Sequence, residues 1–427
     1  MGNKLGNYNA SKCRVDRRHL QEHWCSAEEL LDMAVKFADW LEKTGYATYD
    51  PYDIWGTKFG IWARQIYYHK EAIGLPLITP LLALEMLWPG GRSLFVKKAR
   101  YATADGQLVL AFLNLHATTR EQRWLDKAES LAEELKGYSI SGYRGHCWGY
   151  PFDWQNLDGF WKSNTPYITV TPYCFEAYLR LFELTQKKSY LDLVLSIINF
   201  VAYEIQDTEV SPNASAGSYS PFDRSKIVNT SAYRAFILFE VAYRFAKEAH
   251  KERAQRNLNF ILQSQREDGA WLYAIGDSKQ GFIDHFHTCF VLKNLYKLNR
   301  RLQSDTVRSA IHKGYEFYRR ELFDSEGNPK YFALQARKQI IRLEMYNVAE
   351  AITLGTLLKD EIPEAFEMAH KLAMRVRQNY QLPDGHFVTR VYRGGVQHTF
   401  PFLRWPQAQM FYAVTNMLSV LLEAGFL

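Results

Sequence analysis

Two short stretches of this chain share one turn design, and their separation sets the length of a repeating unit. Residues 265–271 read Gln-Arg-Glu-Asp-Gly-Ala-Trp, and residues 381–387 read Gln-Leu-Pro-Asp-Gly-His-Phe. The glycine supplies the positive φ that ends a helix, and the aromatic residue packs back on the helices it follows. The stretches lie 116 residues apart (381 − 265), and the chain between them has the pattern of four amphipathic helices. The repeating unit is therefore predicted to be a helical hairpin of about 58 residues.

Helical segments of two kinds alternate along the chain. Six segments are apolar on every side, which predicts buried helices: 106–115, 173–184, 230–245, 286–298, 346–358 and 407–422. Six others carry one charged face, which predicts an outer layer: 26–43, 120–136, 189–205, 251–263, 304–322 and 363–380. The predicted fold class is all-α, an (α/α)6 toroid (six-hairpin barrel) in which the N-terminal outer helix closes against the last inner helix.

An apolar run at residues 73–88 interrupts the period before the first inner helix. It contains Pro76, Pro80 and Glu85, and it predicts a short helical insertion that is either buried or interfacial. No Pro/Gly/Ser-rich linker divides the rest of the sequence. We therefore expect an N-terminal extension at residues 1–25 and a single toroid domain at residues 26–427.

The composition favours a carbohydrate partner over a nucleic acid. The net charge is only +6 and the basic residues are dispersed, so no nucleic-acid partner is expected. By contrast, 27 Tyr and 11 Trp combine apolar faces with hydrogen-bonding edges, which suits sugar rings. A large helical ring also uses such residues as wedges, so the aromatic content alone does not decide the function.

Cysteine usage and hydropathy bear on location and cofactors. The five cysteines are odd in number and lack metal-ligand spacing, which favours a reducing, cytoplasmic compartment. No stretch reaches the roughly 20 apolar residues that span a bilayer, so membrane contact would be peripheral. We expect no metal ion and no cofactor, because the sequence has no clustered His ligands, phosphate loop or dinucleotide fingerprint.

A loop rich in aromatic and polar residues precedes each predicted inner helix. These loops span residues 49–56, 145–155, 220–231, 281–288, 342–347 and 398–407. In a ring of roughly parallel inner helices they gather on one face, where the helix N-termini add partial positive charge. An anionic ligand is therefore expected at this mouth of the ring.

Five of the motifs carry a resemblance to a known family. They are Tyr-Asp-Pro-Tyr-Asp at 49–53, Cys-Trp-Gly-Tyr-Pro-Phe-Asp-Trp-Gln at 147–155, Gln-Arg-Glu-Asp-Gly-Ala-Trp at 265–271, Ile-Asp-His-Phe-His-Thr at 283–288 and Arg-Trp-Pro-Gln-Ala at 404–408. In this combination the chain, from about residue 25 onward, resembles a bacterial family of six-hairpin proteins found with surface-polysaccharide biosynthesis genes. More distantly it is similar to the toroids of glucuronyl C5-epimerases, polysaccharide lyases and unsaturated-glucuronide hydrolases. The resemblance implies this fold and a glycan or lipid-linked saccharide as substrate.

Candidate catalytic residues open the fourth and fifth predicted inner helices. Asp284 either caps its helix or contacts a ligand, and His285 either contacts a ligand or bonds a neighbouring carbonyl. His287 is predicted to face the lumen as a proton-transfer group, because imidazole titrates near neutral pH. Tyr346 and Asn347 resemble the acid/base and carboxylate-neutralising pair of uronate lyases, although a buried tyrosine with a satisfied hydroxyl is equally common.

Further candidates lie in the loops before the first, second and last predicted inner helices. Arg404 and Trp405 offer a guanidinium fork beside a stacking platform, unless the arginine is paired structurally with Asp53 or Asp153. Those two carboxylates lie in loops whose aromatic residues look like sugar subsites: Tyr52, Trp55, Trp148 and Trp154. Two carboxylates across a cleft are what glycoside hydrolysis requires.

Three functional hypotheses follow from these residues. The first is a polysaccharide C5-epimerase or lyase that removes the proton α to a uronate carboxylate. In it, Arg404 and Asn347 neutralise the carboxylate while His287 and Tyr346 carry protons on opposite faces. The second is a glycoside hydrolase that uses Asp53 together with Asp153 or Asp284. The third is a non-catalytic glycan-binding or assembly factor. Terpene cyclisation and prenyl transfer are disfavoured because the sequence contains no Asp-Asp dipeptide.

Overall fold

Helices account for most of residues 24–156, 159–276, 280–334 and 339–423, which are the residues described by this computed structural model. The helices are α1 (Ala27–Thr44), α2 (Lys58–His69), α3 (Glu71–Leu87), α4 (Ala102–Thr119), α5 (Gln122–Gly137), α6 (Thr171–Thr185), α7 (Lys188–Tyr203), α8 (Val228–Phe245), α9 (Lys251–Gln263), α10 (His285–Leu302), α11 (Asp305–Glu321), α12 (Met345–Leu357), α13 (Pro363–Asn379) and α14 (Ala408–Glu423).

Short antiparallel strands lie in the loops between the helices. They are β1 (Trp154–Gln155), β2 (Phe160–Trp161), β3 (Asp207–Ser211), β4 (Ala214–Gly217), β5 (Ile283–Asp284), β6 (Phe332–Leu334), β7 (Ile341–Glu344), β8 (Arg390–Tyr392) and β9 (Gln397–His398). β1 pairs with β2, β3 with β4, β5 with β6, and β8 lies between β7 and β9. The pairs β5–β6 and β7–β8 join loops that precede different inner helices, so they tie neighbouring loops together.

Six helices form an inner ring. They follow the order α4, α6, α8, α10, α12 and α14, each packs against the next, and α14 returns to α4. The outer helices α1, α5, α7, α9, α11 and α13 pack on this ring. The predicted (α/α)6 toroid is confirmed, including the packing of the N-terminal outer helix α1 against the last inner helix α14.

The burial pattern explains why the sequence shows two kinds of helix. The inner helix α12 buries 12 of its 13 residues, whereas the outer helix α9 buries five of 13 along one face. The first inner helix begins at Ala102, four residues before the predicted start at 106. Sequence periodicity missed this turn because it contains the charged residue Asp105, which is fully buried and paired with Arg100 at 2.9 Å.

The first Asp-Gly turn binds the next outer helix. The side chain of Gln265 donates to the carbonyl of Gly269 within the turn and to the carbonyl of Ala310 in α11, both at 2.9 Å. Gly269 has φ +95°, and a Cβ at this position would lie 2.3 Å from the carbonyl oxygen of Lys313. The turn therefore requires glycine both for its backbone angle and for its close approach to α11.

The second turn repeats this arrangement at the seam of the ring. The side chain of Gln381 donates to the carbonyls of Gly385 (3.0 Å) and Met33 (2.9 Å), the latter in α1. Gly385 has φ +108°, and a Cβ there would lie 2.2 Å from the carbonyl oxygen of Lys36. The ring of Phe387 stacks on Phe37 of α1 with centroids 5.4 Å apart. The repeated motif thus links the last outer helix to the first.

The insertion before α4 is a hairpin of two helices, α2 and α3, rather than one short helix. The two cross closely at Gly74, where a Cβ would lie 2.1 Å from the Cα of Tyr67. Pro76 and Pro80 lie inside α3 on its exposed side. Within the described part of the chain, no helix is both long and apolar enough to cross a membrane.

The first described residue, Trp24, packs against α13, where its ring stacks on His370 with centroids 4.2 Å apart. Cys25 is also buried. These two residues of the predicted extension therefore contact the toroid. The remainder of that extension, residues 1–23, lies outside the described residues.

Candidate functional site

The N-termini of all six inner helices meet at one cavity of about 290 Å³. Each inner helix contributes a side chain from its first turn, and these are Thr103, Tyr173, Asn229, His287, Tyr346 and Gln409. The peptide dipoles of the helices add partial positive charge at this mouth. The loops gather on one face, as the sequence predicts, and the volume lies near the lower end for small-molecule sites.

Aromatic rings form most of the cavity wall. Fourteen of its 22 lining residues are aromatic, and eight of those are tyrosines: Tyr52, Tyr68, Tyr150, Tyr173, Tyr219, Tyr233, Tyr273 and Tyr346. Among the described residues, no Asp or Glu lines the cavity. The wall therefore offers stacking faces and hydroxyl groups, which suit sugar rings, but no carboxylate pair in contact with the lumen.

His287 is the ionisable group best placed for proton transfer. Its Nδ1 lies 2.7 Å and 2.9 Å from the two carboxylate oxygens of Asp284, and Asp284 also caps α10 by accepting from the backbone N–H of His287 at 3.1 Å. A carboxylate only accepts hydrogen bonds, so Nδ1 carries the proton and Nε2 remains the acceptor in the neutral ring. Asp284 is 3 % exposed, and His287 lines the cavity. The structure shows the capping role predicted for Asp284, whereas Asp284 does not line the cavity and its predicted ligand contact stays a prediction.

Tyr346 and Trp405 form a stacked pair in the cavity wall. Their ring centroids are 3.7 Å apart and the planes are inclined by 4°. The ring of Phe286 packs edge-on against both, at 5.5 and 5.3 Å. Burial raises the pKa of Tyr346 well above its usual value, and the nearby Tyr173 and Glu350 add to the effect. Tyr346 therefore keeps its proton and can donate a hydrogen bond.

Arg404 lines the cavity but already has a carboxylate partner. Its Nε and Nη2 donate to the two oxygens of Asp50 at 2.5 and 2.7 Å, and its guanidinium lies 4.7 Å from the ring centroid of Tyr150. Burial alone would lower the pKa of Arg404, but Asp50 outweighs burial and raises it. The sequence suggested Asp53 or Asp153 as a structural partner, whereas the structure pairs the arginine with Asp50. Nη1 makes no hydrogen bond to any described residue and remains available to the cavity.

Asp53 belongs to a buried charge network rather than to the cavity wall. It bonds Arg92 at 2.7 Å, and Arg92 also contacts Glu85. Glu85 in turn lies 3.2 Å from Arg390, which bonds Glu344 at 2.7 Å. Burial raises the pKa of Asp53 to about 6, with Arg92 opposing the shift. Asp53 therefore holds the loops together and is not placed to act on a ligand in this cavity.

Trp148 is a core residue, and its expected subsite role does not fit this position. It is 1 % exposed, and its indole N–H donates to the carbonyl of Leu135 at 2.9 Å. Trp271 makes the same bond to Ile261, also at 2.9 Å. Trp148 is therefore the counterpart of the aromatic residue in the Asp-Gly turns, wedged behind the helix hairpin it follows.

His285 and Asn347 are also buried away from the cavity. His285 is fully buried, its Nε2 lies 3.0 Å from the hydroxyl of Tyr318, and burial lowers its pKa to about 3. Asn347 is fully buried and does not line the cavity. His285 comes two residues before the cavity residue His287, and Asn347 comes one residue after the cavity residue Tyr346. Because successive residues of a helix are rotated by about 100°, both side chains point away from the cavity toward the outer layer.

The remaining candidates divide between wall and support. Tyr52 and Trp154 line the cavity with ring centroids 6.1 Å apart. Trp55 is 6 % exposed, and the guanidinium of Arg64 lies over it, 4.3 Å from the centroid of the Trp55 ring. Asp153 accepts from the backbone N–H of Ser163 at 2.7 Å and does not line the cavity.

Sequence reasoning missed several cavity residues. Tyr173 and Tyr233 lie at the wall with hydroxyl oxygens 3.1 Å apart. Asn229 and Gln409 are buried in the wall, each with a side-chain oxygen that has no hydrogen-bond partner among the described residues. Tyr173, Asn229 and Gln409 share a signal of position, because the second or third residue of every inner helix reaches the cavity. Tyr233 lies one turn further into α8 and lacks that signal.

Comparisons with known proteins support the fold. No family model and no curated protein matches this sequence. Among solved structures, a D-mannose isomerase matches with a TM-score of 0.60 at 10 % identity, covering 98 % of this chain and 100 % of that one. The cellobiose 2-epimerase of Bacillus thermoamylovorans matches with a TM-score of 0.59 at 10 % identity, covering 75 % and 87 %. A sugar epimerase from a ruminal bacterium matches with a TM-score of 0.57 at 13 % identity, covering 76 % and 88 %. At these identities the likeness shows that the chain shares the toroid of these carbohydrate-active enzymes.

Proposed function

We propose that this protein is a carbohydrate-active enzyme that removes and returns a proton at a sugar carbon. The observation that carries the proposal is the Asp284–His287 pair at the edge of an aromatic cavity. A neutral imidazole accepts a proton at its unprotonated nitrogen, and the orienting carboxylate fixes which nitrogen that is. The same toroid in structures named as epimerases and an isomerase supports this class of reaction.

The chemistry follows from the positions of the groups. Nε2 of His287 takes the proton from the carbon next to a carbonyl or carboxylate, and negative charge develops on the adjoining oxygen. The N-termini of the inner helices and Nη1 of Arg404 stabilise that charge. Tyr346 gives its proton to the opposite face in an epimerisation, or to the leaving oxygen in an elimination, and becomes a phenolate. The phenolate then takes a proton from solvent, and His287 releases to solvent the proton that it removed.

The substrate that we favour is a uronate residue in a bacterial surface polysaccharide or in its lipid-linked precursor, handled in the cytoplasm. The positive helix ends and Arg404 favour an anionic sugar. Asp50 neutralises much of the charge of Arg404, so the helix ends make the larger contribution in this proposal. Hydrolysis is less favoured because no carboxylate among the described residues lines the cavity.

The proposal is tested by solvent exchange. The protein is incubated in D2O with glucuronate oligomers, and separately with mannose and cellobiose, and deuterium is located by NMR. We expect label at C5 of the uronate, with His287→Gln abolishing it. Label only at C2 of the neutral sugars would keep the proton-transfer reaction and reject the uronate. New reducing ends without label would show a hydrolase, and binding without either would show an assembly factor.

A further inference from the structure

The α2–α3 insertion exposes an unusual amount of apolar surface. Ten of the 18 large hydrophobic side chains that are exposed in the described chain lie within residues 59–95. The most exposed are Leu87 (83 %), Leu94 (69 %), Phe95 (63 %), Trp88 (60 %) and Ile73 (57 %). We call the exposed apolar side chains of residues 59–95 the hairpin patch. Soluble proteins rarely expose contiguous apolar surface of this kind unless it contacts a partner or a membrane.

Helix α3 is apolar on the side that faces away from the protein. Its buried stripe is Gly74, Ile78, Leu81 and Glu85, which packs inward. Between Glu71 and Glu85 the helix contains no charged residue, so its outward side is apolar as well. A solvated helix would carry charges there. The uncharged stretch of residues 72–84 is about 20 Å long at about 1.5 Å per residue, too short for a bilayer core of about 30 Å. Helix α3 is therefore suited to lie along the surface of a bilayer, at the boundary between headgroups and acyl chains.

The charged residues around the hairpin patch indicate what kind of surface the patch binds. In residues 58–98, all of which are described, the exposed charged side chains are Lys58, Lys70, Lys97, Lys98 and a single acid, Glu71. Lysines that flank an apolar helix face, together with interfacial tryptophans, are typical of peripheral binding to anionic lipid. Trp62 and Trp88 are 48 % and 60 % exposed within the same patch.

The hairpin patch is joined to the cavity by the same hairpin. Tyr68 of α2 lines the cavity, and Arg64 of α2 covers Trp55 and contacts the ring of Tyr52, which also lines it. A surface bound by the outer side of this hairpin therefore lies next to the cavity wall.

From these observations we propose that the α2–α3 hairpin docks on an anionic lipid surface. Docking presents the cavity to saccharides carried on lipids in that surface. The presentation of the cavity to lipid-carried saccharides rests on the proposed function, whereas the binding of the hairpin to lipid does not.

Vesicle sedimentation of the full chain tests the docking directly. We expect the protein to sediment with phosphatidylcholine–phosphatidylglycerol vesicles and not with phosphatidylcholine alone. Replacing Lys97 and Lys98 by Gln should weaken binding by about thirtyfold, since each lysine near an anionic surface contributes roughly a fivefold factor. Replacing Leu87, Leu94 and Phe95 by Gln should weaken it by more than about tenfold.

A matched control removes exposed apolar side chains elsewhere. The variant Leu184→Gln/Val210→Gln changes residues that are 46 % and 40 % exposed and lie outside the hairpin, and it should sediment like the wild type. No binding to anionic vesicles, or equal binding by the hairpin variants, would overturn the proposal. A wild-type dimer that the apolar hairpin variant converts to a monomer, without vesicle binding, would identify the patch as a contact between two copies instead. Deuterium exchange into a soluble oligomer, measured in parallel, reports the reaction separately from the docking.

Discussion

The substitution Asp284→Asn separates the two tasks that one carboxylate performs. Asp284 accepts the backbone N–H of His287 at 3.1 Å as the cap of α10, and it accepts the ring Nδ1–H at 2.7 Å. Asparagine caps helices about as well as aspartate, so the first task survives the change. The second is disrupted, because an asparagine that keeps its oxygen on the cap, 2.9 Å from Nδ1, places its NH2 group where the nearer carboxylate oxygen lies, 2.7 Å from Nδ1.

The expected magnitude follows from this geometry. An NH2 donor facing Nδ1 forces the ring into the other tautomer, in which Nε2 carries the proton and cannot act as a base. We expect kcat to fall by about 10²–10⁴-fold, the range for losing a positioned general base, with KM changed only a few-fold. The free energy of unfolding should change by less than about 1 kcal/mol.

Two measurements check this prediction. The rate of deuterium incorporation into the sugar gives kcat, and urea unfolding gives stability. Asp284→Ala serves as the comparison, because it removes the cap as well and should cost about 1 kcal/mol of stability in addition to the activity. An Asp284→Asn enzyme with kcat within about threefold of the wild type would refute the role of His287 as an oriented base.

Three further predictions concern stability. Arg404→Ala should cost about 3–5 kcal/mol because it leaves the buried carboxylate of Asp50 without its cation, with the backbone N–H of Tyr52 still donating to it at 2.9 Å. The double change Arg404→Met/Asp50→Asn should cost less, and additive costs in urea unfolding would contradict this pairing. His370→Phe should reduce the loss of stability in acid. Burial lowers the pKa of His370 to about 4, so its unfolded form gains a proton first as the pH falls below about 6.5. By about pH 4 the free energy of unfolding of the wild type should therefore have fallen by about 3 kcal/mol relative to that of the variant. A pH-independent difference between the two would refute it. Gly385→Ala should be several kcal/mol more damaging than Gly142→Ala, since both glycines have positive φ but only Gly385 has no room for a Cβ; equal thermal shifts would show that the turn moves away from α1.

The fold was predictable because its signals are local. A helix that is buried on all sides differs from one with a single buried face within any two turns of sequence, and six such pairs imply a ring. The capping box at Ser26 and Glu29 was also readable, and both of its hydrogen bonds are formed. The start of α4 was missed because a buried charge, Asp105, looks like an exposed one until its partner is known.

The site was predictable only in part. Residues at the cavity, such as His287, Tyr346 and Trp405, open inner helices, and that position can be read from the sequence. The pairing of Arg404 with Asp50 joins residues 354 positions apart, and no local pattern indicates it. The sugar-subsite role predicted for Trp148 was wrong, because the sequence of a turn is the same whether its tryptophan packs inside a helical hairpin or stacks on a sugar.

The seam of the ring has a consequence for synthesis of the chain. Helix α1 buries its apolar face, including Met33 and Phe37, against α14 and against the turn at residues 381–387. A ribosome makes α1 before these partners, so the helix emerges with an apolar face that stays uncovered until they follow. Every other hairpin finds its neighbour within about two repeats. Among the described helices, α1 is therefore the one that most needs protection by a chaperone, and the ring closes only after α14 has left the ribosome.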